Sequence, residues 1–150
     1  MLFRSIHPSL LLAAALWAPL HALAQPHERS EGAFTVRGST VSSQNVDSAT
    51  ARRHGIEPSP TRGILNVTVE RREGPAPRTV QARVQATARN LTGVEREVPM
   101  KEVEQNGYVS YTGAYDFAPR EVLDFRIQAQ PQGASTVLDL TFRDRMWKRQ

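Results

Sequence analysis

Beyond residue 24, four side chains could bind a soft metal ion: His27, His54, Met100 and Met146. Copper and similar ions favour clustered histidine, methionine and cysteine ligands. None of these four residues is a sequence neighbour of another, and the chain contains no cysteine. The spacing therefore predicts no metal ligand and no cofactor. Copper binding stays an alternative that depends on the fold bringing these side chains together.

Serine hydrolysis is the second chemistry that the residue types would allow. A catalytic triad needs a serine, a histidine and an acid that converge. His54 follows Asp47, and four serines are close in sequence: Ser42, Ser43, Ser48 and Ser59. Such serines are equally suited to helix caps and turns. The sequence has no nucleophile elbow, HExxH motif or phosphate-binding glycine loop. We therefore predict no catalytic residue and no enzyme, with a hydrolase as the weaker alternative.

The first 24 residues have the features of a cleaved signal peptide. Arg4 is the only formally charged residue before Glu28. The apolar run 10–20 is shorter than the roughly 20 residues that a membrane-spanning helix needs. A small-x-small pattern follows and ends at Ala24, so we expect cleavage between Ala24 and Gln25. The mature protein is then expected in a bacterial periplasm, without a membrane span.

The charge balance is mildly basic. The chain has 19 Lys and Arg residues against 15 Asp and Glu residues, and only Lys101 and Lys148 are lysines. Codon bias explains an arginine excess without any function, and an anion-binding surface is the functional alternative. Basic runs with interleaved aromatic residues, which are typical of nucleic-acid binding, do not occur. We predict no nucleic-acid partner.

Alternating apolar and polar residues indicate β-strands through most of the chain. The clearest example is 79–89, where every second residue is apolar: Val80, Ala82, Val84, Ala86 and Ala88. Because side chains of a strand alternate between two faces, this pattern buries one face. Further strands are expected around 34–41, 64–70, 94–105, 108–117, 123–129 and 138–142. Hairpin turns predict that Ala86 pairs with Val98, Val84 with Met100, and Val103 with Val109.

Two local features interrupt the strand pattern. Gly38 lies within the first predicted strand, where it is consistent with a β-bulge. Helical spacing then predicts a short helix over 45–53, ending before Gly55. About seven strands with turns every eight to twelve residues favour an all-β fold, an antiparallel immunoglobulin-like β-sandwich with one short helix. A small barrel is the alternative. We divide the chain into a signal peptide (1–24), a flexible N-terminus (25–33), the sandwich (34–143) and a basic tail (144–150).

Several segments resemble a family of exported bacterial proteins, the domain of unknown function DUF4426. They include the helix and its exit at 46–56, with His54-Gly55-Ile56, and the strand 63–69. The hairpin around 90–93, the strand 108–117, and 125–127 with Pro131 follow in the same order. Residues 57–60 occupy the place where the family usually has an Arg-Ser pair. The resemblance implies a periplasmic, β-rich protein and supplies no catalytic residue.

A binding or protein-interaction module is the function that these observations favour. Exported sandwiches commonly bind partners through loops, a sheet face or a sheet edge. The candidate interaction surface consists of Tyr108, Tyr111, Arg83, Arg89 and Trp147. The alternative for the tyrosines is packing in the core, and for the arginines it is pairing with Glu95 or Glu97 on the next strand. The expected partner is a protein or a small ligand of the periplasm.

Overall fold

The computed structural model describes residues 26–146. The predicted signal peptide, with Gln25, and the candidate residue Trp147 lie outside the described residues. The elements in chain order are β1 (His27–Glu31), β2 (Phe34–Ser42), a 3-10 turn (Ser43–Asn45), α1 (Ser48–Arg53), β3 (Arg62–Glu73), β4 (Ala76–Thr79), β5 (Ala82–Asn90), β6 (Glu95–Val98), β7 (Lys101–Gln105), β8 (Tyr108–Asp116), β9 (Val122–Pro131) and β10 (Leu138–Arg145).

The strands form two antiparallel sheets, which confirms the predicted β-sandwich. One sheet has the strand order β1-β2-β3-β8-β7, with β4 paired to β3, and the other has the order β10-β9-β5-β6. The strand number exceeds the predicted one because β1 and β4 are additional strands. The segment 95–105 also forms two strands, β6 and β7, in place of one.

The inner faces of both sheets carry the predicted apolar residues. In β5, Ala86 and Ala88 are buried while Gln85 is exposed, as the alternation predicts. The largest fully buried side chains come from three strands: Phe125, Leu65, Leu123, Ile127 and Leu138. Burial of one such side chain contributes about 1.5–3 kcal/mol. The core between the sheets therefore stabilises a domain that has no cysteine for a disulfide.

The chain changes from one sheet to the other at Pro99. Ala86 lies opposite Val98 in the β5–β6 ladder, which confirms the predicted hairpin. The predicted pairing of Val84 with Met100 is wrong, because β6 ends at Val98 and the next strand, β7, pairs with β8 in the six-stranded sheet. Proline has no backbone N–H for a ladder hydrogen bond. Pro99 accordingly lies between two edge strands.

The turn between β7 and β8 sets which residues of β7 face outward. Asn106 and Gly107 both have positive φ, 51° and 78°, as a two-residue type I′ turn requires. Val103 therefore pairs with Ser110, and the predicted pairing with Val109 is wrong by one residue. A shift of one residue moves side chains to the opposite face. Val109 stays in the core, and Val103 lies on the outer face of the six-stranded sheet.

Two expectations for the N-terminal region differ from the structure. His27–Glu31 forms β1 on β2, within the segment predicted to be flexible, and all five of its side chains are exposed. Without a buried face, the sequence has no alternation that would reveal this strand. The predicted bulge at Gly38 is wrong, because β2 pairs with β3 without interruption. A Cβ atom at Gly38 would lie 2.7 Å from Ile127 Cδ1, so any larger residue would displace side chains of the core between the sheets.

A 3-10 turn and α1 occupy the region of the predicted helix. Asp47 is the N-cap of α1, and its carboxylate accepts a hydrogen bond from the Thr50 N–H at 2.9 Å. This backbone hydrogen bond, joined by one from the Thr50 hydroxyl, holds the pKa of Asp47 below its usual value. The cap fixes where the helix begins, and hence which residues lie in its last turn.

A Schellman motif ends the helix. The Ile56 N–H donates to the Ala51 carbonyl at 2.8 Å, and the Gly55 N–H donates to the Arg52 carbonyl at 3.1 Å. Gly55 has a φ of +65°, the left-handed conformation that glycine adopts without strain. Ala51 is fully buried, so this side of the helix packs on the domain. The opposite side presents Arg52 and Arg53 to solvent.

Candidate binding groove between the helix and the six-stranded sheet

The structure separates the residues of the predicted interaction surface. Tyr111 is buried, and its hydroxyl bridges the two sheets. The hydroxyl accepts a hydrogen bond from the Ala82 N–H at 2.7 Å and donates one to Glu102 Oε2 at 3.0 Å. Burial is the main cause of the raised pKa of Tyr111. Tyr111 therefore has a structural role inside the domain. Tyr108, in contrast, is 53% exposed at the start of β8.

Arg83 and Arg89 lie on the outer face of the four-stranded sheet. This face balances its own charges, because Arg126 and Arg143 form ion pairs with Asp139 and Asp124 at 2.6 Å each. These hydrogen-bonded arginines hold the pKa values of both carboxyl groups below their usual range. Glu95 and Glu97 add further negative charge from β6: Glu95 pairs with Arg89 in the ladder, and Glu97 pairs with Thr87. The cross-strand arrangement is typical of a solvated sheet face.

The side chains considered for copper binding lie at different places in the domain. The His27 ring stacks on Phe142, with centroids 4.3 Å apart. Met146 is buried and its sulfur accepts a hydrogen bond from the Tyr115 hydroxyl at 3.4 Å. Met100 lies over Gly113 on the inner face of the sheet, whereas His54 lines a groove on the outer side. Within residues 26–146, no three His, Asp or Glu side chains converge as metal ligands.

The serines near His54 hold the backbone in place. The Ser43 hydroxyl is fully buried; it donates to the Ser59 carbonyl and accepts from the Ser59 N–H, both at 3.0 Å. The Ser42 hydroxyl accepts from the Gln44 N–H and caps the 3-10 turn. The hydrogen bonds between Ser43 and Ser59 connect the 3-10 turn before α1 to the loop after it. They fit the capping and turn roles that the sequence allows.

A groove lies where the end of α1 approaches the outer face of β7 and β8. The helix side is formed by Arg52, Arg53, His54, Gly55 and Ile56. The sheet side is formed by residues that the ladder places next to one another: Lys101 opposite Thr112, with Val103 and Ala114 on either side. Its volume is about 570 Å³, within the range of about 300–1,000 Å³ that is usual for ligand sites.

Cationic side chains dominate this groove. In the described part of the chain, no ion pair involves Arg52, Arg53 or Lys101. Arg53 donates a hydrogen bond to the Thr50 hydroxyl at 3.0 Å, and its positive charge helps to lower the pKa of Asp47. Arg52 and Lys101 thus carry the positive charge that a ligand entering the groove would meet first.

Two carboxylates near the groove, those of Glu102 and Asp116, are engaged elsewhere. Glu102 accepts hydrogen bonds from the Tyr111 hydroxyl and from Gln81 Nε2, both at 3.0 Å. Asp116, at the far end of β8, forms an ion pair with Arg62 at 2.9 Å. Each of these acids has a partner of its own. The groove therefore keeps a net positive charge beside a partly apolar floor of Ile56, Val103 and Ala114.

Sequence reasoning missed this groove although it identified its parts. The helix exit at His54-Gly55-Ile56 was recognisable, and Lys101 is one of only two lysines. Nothing local indicates that the helix end lies beside β7, about 50 residues further along the chain. The register of β7 was also needed, because Val103 reaches the groove only with the two-residue turn at Asn106 and Gly107.

Two antiparallel sheets around one core, with one short α-helix among residues 26–146, define the fold as an antiparallel β-sandwich. The chain belongs to the family described as Domain of unknown function (DUF4426), whose model matches residues 28–148. This match confirms the resemblance noted from the sequence. None of the helices in residues 26–146 has the length and hydropathy that crossing a membrane requires.

Solved structures with the same fold include a DUF4426 family protein from Pseudomonas aeruginosa. It has a TM-score of 0.72 and 21% sequence identity, over 83% of this chain and 97% of that chain. FetP of uropathogenic Escherichia coli, recombinantly expressed in the periplasm, has a TM-score of 0.61 and 11% identity over 84% and 97%. A copper-bound variant of FetP has a TM-score of 0.60 and 11% identity over 81% and 95%. Comparison with curated proteins finds no match.

Proposed function

We propose that this protein is an exported binding module that holds a partner in the groove between α1 and β7–β8 without catalysing a reaction. The observation that carries the proposal is the groove itself. It combines a partly apolar floor with Arg52 and Lys101, two cations that form no ion pair within residues 26–146. Exposed cations around apolar surface are typical of binding sites, because the charge steers a ligand that the apolar contact then retains.

Two further observations support a role without catalysis. Ser43 uses its hydroxyl in two backbone hydrogen bonds to Ser59, so the buried serine near the helix has a structural task. His54 caps the helix with its backbone N–H and lies among cationic side chains. Export rests on the signal-peptide features of residues 1–24, and FetP, which has a similar fold, was itself expressed in the periplasm.

Site-specific photo-crosslinking in the native host tests this proposal. A photoactivatable residue at Thr112 lies in the groove, and the same residue at Thr141 lies on the outer face of the other sheet as a matched control. We expect one reproducible adduct from Thr112 and none from Thr141. Equal labelling from both positions, or no adduct from Thr112, would contradict the assignment of the groove.

Copper binding is the second candidate, favoured by the copper-bound form of a FetP variant with a similar fold. In this chain the ligands would have to be histidine or methionine side chains. The test is a copper titration of the melting temperature of the mature protein. A stoichiometric shift that His54→Ala abolishes would support the candidate, and an absent shift would remove it.

A further inference from the structure

We infer that the groove recognises an acidic, extended segment of a partner protein, with Arg52 and Lys101 binding carboxylates on either side of an apolar contact. This inference rests on the proposed function and adds the chemistry of the ligand. Arg52 belongs to the helix and Lys101 to the edge strand β7, so two separate elements supply the positive charge. A ligand that contacts both must therefore lie across the groove.

Charge complementarity selects an acidic ligand. The cations Arg52, Arg53 and Lys101 line the groove, and Glu102 is the one acid among the lining residues. Glu102 already accepts two hydrogen bonds, from Tyr111 and from Gln81, which direct its carboxylate toward the gap between the sheets. An incoming carboxylate therefore meets Arg52 and Lys101, which form no ion pair within residues 26–146. Arginine favours carboxylates in particular, since its planar guanidinium can donate two parallel hydrogen bonds.

The backbone carbonyls at the end of α1 do not compete with a ligand for Arg52 and Lys101. The Schellman hydrogen bonds to the Ala51 and Arg52 carbonyls satisfy acceptors that would otherwise attract positive side chains. Arg52 is exposed, and its guanidinium forms no ion pair in the part of the chain that the structure describes. Its guanidinium is thus available to a ligand in the groove.

The shape of the groove favours an extended chain. Small-molecule sites enclose most of their ligand, whereas this groove is open to solvent along the outer face of β7 and β8. Val103 and Ala114, on either side of the Lys101–Thr112 pair, and Ile56 supply the apolar lining of the groove. Side chains of an extended peptide alternate in direction, so aliphatic residues of such a segment can contact this lining while the acidic residues between them point outward. Arg52 and Lys101 are long, exposed side chains, so they can reach acidic groups at the rim of the groove.

Fluorescence anisotropy with the purified mature protein tests the inference. The probe is a labelled peptide of alternating glutamate and valine, and its control replaces glutamate by glutamine. We expect the glutamate peptide to bind and the glutamine peptide not to bind. The double variant Arg52→Glu with Lys101→Glu should weaken binding about tenfold or more, as expected for the loss of two partly exposed charge contacts. Arg83→Glu, the same charge change on the other sheet, should leave binding unchanged.

Several outcomes would overturn the inference. Equal weakening by Arg83→Glu would show that net charge alone drives binding. Binding of inorganic phosphate or of phosphatidylglycerol vesicles through Arg52 and Lys101, without peptide binding, would assign another ligand class to the groove. A native adduct at Thr112 together with no binding of the glutamate peptide would remove the acidic segment while leaving the proposed binding role intact. Circular dichroism of each variant confirms that the fold is preserved.

Discussion

The hydroxyl of Tyr111 and the carboxylate of Glu102 are joined by a hydrogen bond of 3.0 Å, which fixes the edge strand β7 to the interior of the sandwich. The same hydroxyl accepts from the Ala82 N–H in the opposite sheet. One phenol thus connects three strands at one end of the domain. It also turns the carboxylate of Glu102 away from the cations of the groove.

Replacing Tyr111 by phenylalanine should destabilise the domain by about 1–3 kcal/mol. The ring would still fill its buried place, but the Ala82 N–H and the Glu102 carboxylate would lose a hydrogen-bond partner. Urea unfolding followed by circular dichroism measures the change. Tyr108→Phe is the matched control, since Tyr108 is 53% exposed. Equal stability of the two variants would mean that the Tyr111 bridge contributes nothing.

Gly63→Ala should destabilise the domain by about 1–3 kcal/mol, the usual cost of overpacking. A Cβ atom at Gly63 would overlap Cζ of Tyr115, whose ring is buried. Replacing the Tyr115 ring by a smaller side chain should reduce the destabilisation by Gly63→Ala. In a double-mutant cycle with Tyr115→Leu, we expect Gly63→Ala to cost clearly less than it does in the native background. Additive costs would show that the two residues do not compete for space.

The register of β7 predicts opposite outcomes for two valines of neighbouring strands. Val98 is 2% exposed in the core, so Val98→Glu should unfold the domain by burying a charge. Val103 lies on the outer face, so Val103→Glu should cost no more than about 1 kcal/mol and should weaken the acidic peptide by repulsion. Thermal melting and the anisotropy assay measure the two effects. Unfolding of Val103→Glu would indicate the register in which Val103 faces inward.

The ion pairs on the four-stranded sheet predict a small acid-dependent stability. The pKa values of Asp124 and Asp139 lie below the usual value of about 3.8 in the folded state, because Arg143 and Arg126 bond to their charged forms. Lowered folded-state pKa values mean that this stability is present above about pH 3.8 and is lost as the pH falls through the folded pKa values. We expect a small contribution from each pair, since both pairs are exposed to solvent, which screens their charges.

Unfolding measured between pH 2 and 7 for the double variant Arg126→Gln with Arg143→Gln tests this pH dependence. The variant should be less stable than the native chain at pH 7 and should approach it at the acid end. Arg78→Gln is the control, because Arg78 forms no ion pair among residues 26–146. A difference that persists unchanged at low pH would attribute the loss to packing rather than to charge.

The sequence predicted the parts of the fold that bury one face of a strand. Ala86, Ala88, Leu65 and Val67 fall on the inner faces because alternation is a local signal. β1 gave no such signal, since its five side chains are all exposed. The register of β7 depended on a turn shorter by one residue than expected, and neighbouring apolar residues fit either choice.

The candidate site was less predictable than the fold. Arg83 and Arg89 were selected for a shared face, which the structure confirms, but the compensating acids come from β6 and β9. The groove instead joins Arg52 to Lys101 through a contact between the helix end and a distant edge strand. Such long-range contacts follow from the packing of whole elements, and no local spacing encodes them.

The passage of the chain at Pro99 has a consequence for behaviour at high concentration. It places two short strands, β6 and β7, at the open borders of both sheets on the same side. Free strand borders are templates on which other chains can add and start fibrillar aggregates. Here the border strands carry four glutamates, Glu95, Glu97, Glu102 and Glu104, and the proline between them offers no N–H. Repulsion between like-charged borders should keep neighbouring molecules apart at high protein concentration.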